Sequence, residues 1–290
     1  MAAHKNLEEH REYLYQMVRL KLFFLRNWLS DHPEESLQEV LRKRIDIYRK
    51  TSINASLLNP PKPDFDCPAW LELERALLDI YHQFHHSPVE FENAGFALFR
   101  KSVDERVKKD YEDNSRLAGY QCGSLRYNEF SDGAKHETAS FHIANALQPE
   151  SIFADTQYLP HCFLELMRQT QEKYSCTRLA TTTWLNSLPR WLALFPQEWQ
   201  DNLGPENTDV QWNYGWWGQF ITARGTFNFK YGEFMRQTGR MPFYPRSSSC
   251  SFENLQKHLQ KNFNLSAGEL PAHPMPKNEK LQQGKPEQPF

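Results

Sequence analysis

The stretch from Thr181 to Glu233 constrains this chain more than any other. It holds six of the eight tryptophans: Trp184, Trp191, Trp199, Trp212, Trp216 and Trp217. So large an aromatic surface in so few residues must be buried or must bind something. Trp191 and Trp199 stand at amphipathic spacing around Pro196 and read as core. Trp212, Trp216 and Trp217 cannot all share one face of a strand, because successive side chains alternate. At least one of them faces another layer or a cleft.

Composition narrows the fold class. Hydrophobic residues make up 39% of 290, which is low, and aromatics at 14% compensate. A core of Phe, Tyr, Trp and Leu argues against a doubly wound parallel sheet, whose strands read as Val/Ile-rich runs. Helical periodicity predicts helices over 5–30, 34–50, 69–84 and 88–112, with a proline-rich loop at 51–68. Residues 117–130 and 138–145 read as two strands of a hairpin, followed by a helix over 159–173 and a strand over 178–185. Short helices are expected at 188–195 and 196–203, a Trp-rich strand at 209–221, and helices at 226–238 and 252–262. The fold class is therefore α+β: a helical N-terminal region (1–114) packed on a small mixed or antiparallel sheet with flanking helices (115–265). The tail, 266–290, has five prolines and few apolar residues, and reads as disordered.

Charge and cysteines exclude several classes. The net charge is -2 with no basic half, so nucleic acid is not an expected partner. No apolar run is long enough to span a membrane, and no secretory signal opens the chain. Five scattered cysteines, odd in number and without a CxxC, read as free thiols in a reducing compartment, the cytosol. The Arg42-Lys43-Arg44 run reads as a solvated helix face. His82, His85 and His86 lack a companion Glu or Cys motif and read as a surface cluster rather than a metal site.

The candidate site residues are polar groups set among apolar strands. His142 can act as a general base, since a histidine pKa is easily placed near neutrality. Cys122 is a candidate nucleophile if His142 on the adjacent strand lowers its pKa. Arg126 suits a carboxylate or phosphate, and Asn145 stands beside it in the hairpin. Arg224, next to Gly225 and the start of the 226–238 helix, is positioned for an anion. Trp216, Trp217, Gln219 and Asn228 complete that cluster, facing His142. Trp184 and Asn186 mark the end of the 178–185 strand.

Residues 138–240 resemble the C-terminal domain of GNAT-like acyltransferases. The resemblance lies in FHIANALQPESIF, the helix after it, and LATTTWLNSLPRWLALFP, where that family has a strand, a helix, a "SWLL" strand and a Leu/Pro-rich turn. GTFNFKYGEFMRQTG takes the place of the helix that follows the family's next strand. The resemblance implies acyl or group transfer to a small molecule, with acyl-CoA as the donor. The alternative is a non-catalytic ligand-binding or assembly protein, oligomeric through its amphipathic helices and Phe-rich 88–112 segment.

Overall fold

A computed structural model describes residues 4–54, 63–113, 117, 119–131 and 134–265. The expected disorder of 266–290 and part of the proline-rich loop (55–62) lie outside the described residues.

Helix α1, Leu7–Asp31, begins where Asn6 and Glu9 form a reciprocal capping box. Its buried stripe runs through Leu14, Met17, Val18, Leu22 and Leu25, but it also includes His10 and Lys21. Helices α3, Pro68–Phe84, and α4, Pro88–Glu112, each start on a proline at the first turn, where the missing N–H costs nothing. α4 lies antiparallel to α1, since Arg19 meets Glu92 and His10 meets Asp110. Gly95 lets the helices close: a Cβ there would stand 3.2 Å from Leu22 and 3.3 Å from Leu77.

The expected 34–50 helix is broken. A single turn, α2 (Leu37–Val40), passes into a π-turn, Leu41–Ile45, then a 3₁₀ turn, Tyr48–Lys50. The break corrects the reading of the Arg42-Lys43-Arg44 run as a solvated face for its two arginines, while Lys43 stays exposed. Arg42 forms a bidentate pair with Glu74, and Arg44 is 4% exposed between Glu35 and Asp209, over the Trp28 ring.

Strands β1 (Leu125–Tyr127) and β2 (Thr138–Ile143) form the expected antiparallel hairpin. Helix α5, Tyr158–Tyr174, carries the chain to β3, Arg178–Thr183, parallel to β2. β4, Arg246–Ser251, closes the sheet antiparallel to β3, giving the order β1-β2-β3-β4. The core face carries Leu125, Tyr127, Phe141, Leu179 and Cys250. It packs on α5, on α10 (Phe252–Phe263), and on the short turns α6 (Pro189–Leu192) and α7 (Gln197–Asp201) that present Trp191 and Trp199.

The Trp-rich strand expected at 209–221 does not form. Asn213 accepts from the Gly215 N–H and caps a helical turn, α8 (Tyr214–Trp217), which carries Trp216 and Trp217 into the core of α1 and α4. Helix α9, Phe229–Thr238, follows and also packs there through Met235, while its C-terminus ends on left-handed Gly239. The tryptophans thus serve two cores. Trp191 and Trp199 belong to the sheet, and Trp216 and Trp217 to the helical layer.

Candidate functional site

The structure disperses most of the expected site. His142 is exposed on the open face of β2, where its Nε2 lies 2.8 Å from Asn128 Oδ1. Partial desolvation of the ring, then the Arg126 charge across the ladder, lower its pKa. Cys122 points into the opposite, core face and is fully buried. Burial, then Glu165 and Cys162, push its thiol far above the usual range, the reverse of what a nucleophile needs. His142 and Cys122 therefore do not meet. Only Arg126, directly opposite His142 in register, joins it.

The remaining candidates are held by bonds within the fold. Asn145 donates to Glu150 O and Ala223 O and accepts from Leu147 N–H. Trp184 is half-buried and stacks on Phe243 at 6.2 Å. Asn186 is fully buried, and its amide binds two indoles and two carbonyls. Trp216 donates to Asn207 O and Trp217 to Arg44 O. Gln219 clamps the 243 backbone, donating to Phe243 O at 2.9 Å and accepting from its N–H. Asn228 caps α9 and donates to Gln219 O. Arg224 pairs with Glu9 at 3.0 Å. The anion seat expected at the start of that helix is thus filled by the protein itself.

The 222–226 turn does bring distant segments together. Gly225 has φ +79°, its carbonyl accepts from Lys5 Nζ at 3.1 Å, and a Cβ there would lie 2.0 Å from Gln148 Nε2. Gly225→Ala is expected to cost about 1–2 kcal/mol from the left-handed backbone alone. A thermal melt checks this; an unchanged midpoint would contradict the turn's role.

The strongest constellation lies elsewhere, inside the helical layer. His10 is 3% exposed, and its Nε2 lies 3.0 Å from Asp110 Oδ2 on α4. Asp110 Oδ1 accepts from Lys50 Nζ at 3.1 Å. Burial alone would push the Lys50 ammonium down, but Asp110, then Tyr214 and Tyr13, hold it well above its ordinary value. Burial likewise opposes the Asp110 charge, yet Lys50 and then His10 hold its carboxyl far below the usual range. Burial lowers the His10 pKa against the pull of its Asp110 bond, so the ring is neutral. Nε2–H then donates to the carboxylate, leaving Nδ1 as a bare acceptor, buried and without a partner.

This centre extends to Lys21, the second polar residue on the α1 stripe. Lys21 donates to Ile45 O and Asp46 O and stands 5.1 Å from the Trp217 ring. Burial pushes its pKa down to about 8. Asp46 closes the π-turn in the left-handed region (φ 43°) and pairs with Arg49 at 3.1 Å. π-turns and non-glycine left-handed residues concentrate at functional sites. Aromatic rings flank the centre. Tyr111 lies 5.6 Å from the His10 ring and is 38% exposed; Tyr214 beside Lys50 is 56% exposed; Trp212, 37% exposed, stacks on Arg49 at 3.9 Å.

Sequence reasoning missed this centre, although half of it was readable. Positions 10 and 21 fall on the same helical stripe as 14, 17, 18 and 25, so a histidine and a lysine were marked for burial. Nothing in the spacing links them to Lys50 or Asp110.

Among the described residues, no group of three or more His, Cys, Asp or Glu side chains converges as a metal site, and no helix is long and apolar enough to cross a membrane. Comparison with protein-family models, with curated proteins and with solved structures finds no match to this chain.

Proposed function

We propose that this protein is an acid–base enzyme acting on a small anionic molecule, in a group-transfer reaction, with His10 moving the proton. The observation that carries this is the His10–Asp110 pair. The carboxylate fixes the tautomer through Nε2, and the buried Nδ1 keeps a lone pair aimed at no protein donor. A neutral, oriented imidazole with one bare nitrogen is the form that accepts a proton from a substrate hydroxyl or amine. Lys50, Lys21 and Arg49 against Asp46 and Asp110 leave the centre net positive, which favours an anionic substrate.

The donor implied by the resemblance is acyl-CoA. The link between β2 and α5, residues 144–157, contains Glu150 and Asp155 but no Lys, Arg or Gly. It offers a pyrophosphate neither cations nor glycine amides, so the residues there do not fit that donor.

The test is a screen of small anionic metabolites by thermal shift, with turnover measured on the compounds that stabilise the protein. His10→Asn is expected to reduce turnover by about 10²–10⁴-fold. Full turnover in that variant would remove His10 from the chemistry. A second reading, partner binding without catalysis, is favoured by Phe229 (60% exposed) and Phe234 (42%) on α9. A concentration-dependent oligomer abolished by Phe229→Ser would support it.

A further inference from the structure

The sheet face turned away from α5 and α10 is open. It presents Ser140, His142, Thr182 and Ser247, all exposed, with Ala180 and Ser249 between them. A guanidinium and an imidazole stand side by side at one edge. Arg126 and His142 are register partners of β1 and β2, so their Cβ atoms are about 5 Å apart on one face.

Arg126 differs from several other half-buried arginines, which meet a carboxylate. Arg42 pairs with Glu74, Arg178 with Glu198 and Arg236 with Glu92. The Arg126 guanidinium instead lies 5.7 Å from the Tyr120 ring, and its buried Nε–H donates to nothing. A buried guanidinium N–H with no acceptor is costly unless a ligand oxygen takes it. His142 is already oriented: its Nε2–H donates to Asn128 Oδ1, leaving Nδ1 for a second partner.

We propose that Arg126 and His142 form a seat for the phosphate group of a small phosphate ester, separate from the His10 centre. The guanidinium fork matches phosphate oxygens in pairs. A doubly charged anion draws a proton onto His142 Nδ1, so that the second side chain also donates. Phosphate is favoured over a carboxylate because both neighbours then carry charge, on a face that also presents the hydroxyls of Ser140, Thr182 and Ser247.

The experiment is calorimetric titration of the full chain with inorganic phosphate and, in a second arm, with a single-stranded oligothymidylate. Saturable phosphate binding is expected, weakened by about tenfold or more in R126M and severalfold in H142Q, an exposed position where folding is not at stake. R168M, which removes the same charge from the outer surface of α5, should leave binding unchanged. Circular dichroism checks that R126M is folded, and H142Q tests the seat if it is not. Absence of saturable binding, an unaltered affinity in both H142Q and R126M, or an equal loss in R168M would overturn the proposal. Much tighter binding of the oligonucleotide, lost in R126M, would overturn the assignment to a small ester and give the seat to a polymer backbone.

Discussion

Replacing Asn186 with Leu is expected to lower the unfolding free energy by about 4 kcal/mol, a large share of what holds a domain together. Asn186 Oδ1 accepts from Trp191 Nε1 at 2.9 Å and from Trp199 Nε1 at 3.1 Å. Its Nδ2 donates to Arg246 O at 2.7 Å and, at the longer 3.4 Å, to Thr181 O. One amide thus ties two core tryptophans to β3 and to the start of β4. Leucine has a similar volume, so little cavity forms; the cost is the orphaned polar groups. Each buried donor or acceptor left unmet costs about 1–3 kcal/mol, and two indole N–H groups and at least one carbonyl are left. Urea unfolding followed by tryptophan fluorescence measures it. A loss below about 1 kcal/mol would mean that water or a rearranged indole replaces the amide.

Asp110→Ala is expected to cost about 3–5 kcal/mol, because it leaves the Lys50 ammonium buried without its carboxylate. The double variant Lys50→Met, Asp110→Leu should recover much of that loss, since an apolar pair of similar volume removes the desolvation penalty with the charges. A double variant as unstable as the single one would show that the pair does more than neutralise itself.

The same centre sets an acid dependence. The folded Asp110 pKa lies below its unfolded value, near 3.9. Its contribution is therefore present above about pH 4 and is lost as pH falls through the folded value. The folded His10 pKa also lies below its unfolded value, near 6.5. Folding favours the neutral ring, so stability starts to fall as pH drops below about 6.5. Urea midpoints from pH 8 to pH 3 should show both losses in the natural chain. Asp110→Asn should reduce the lower one and keep the loss that begins near 6.5; a variant with an unchanged acid profile would contradict this.

The long amphipathic elements were legible because burial and periodicity agree in them. α3, α4 and α5 fall within a residue of their expected limits, each with one apolar stripe and a proline or charged boundary. β4 was missed because RSSSCS has no apolar alternation. Its buried positions hold only Ser248 and Cys250, and the free edge of β3 draws it into the sheet. The strand expected at 209–221 was a misreading of aromatic content as β-propensity. A polar residue, Asn213, turns the chain instead, so that Trp216 and Trp217 enter the helical layer.

Candidate site residues were harder to place, for a related reason. Asn145, Asn186, Gln219 and Asn228 look functional in sequence because they interrupt apolar runs. In the fold each satisfies backbone or indole groups that the surrounding core would otherwise orphan.

The sequence alone determines that this chain is α+β, that its N-terminal third is helical and that its core is aromatic. Those properties follow from period, capping and composition, which act over a few residues. Only the tertiary structure decides which tryptophans serve which core, and that His10 meets Asp110 a hundred residues away. It also decides that Arg126 is left facing His142 on an open sheet. Such pairings depend on how helices and strands pack at long range, and no local pattern records which charge finds which partner.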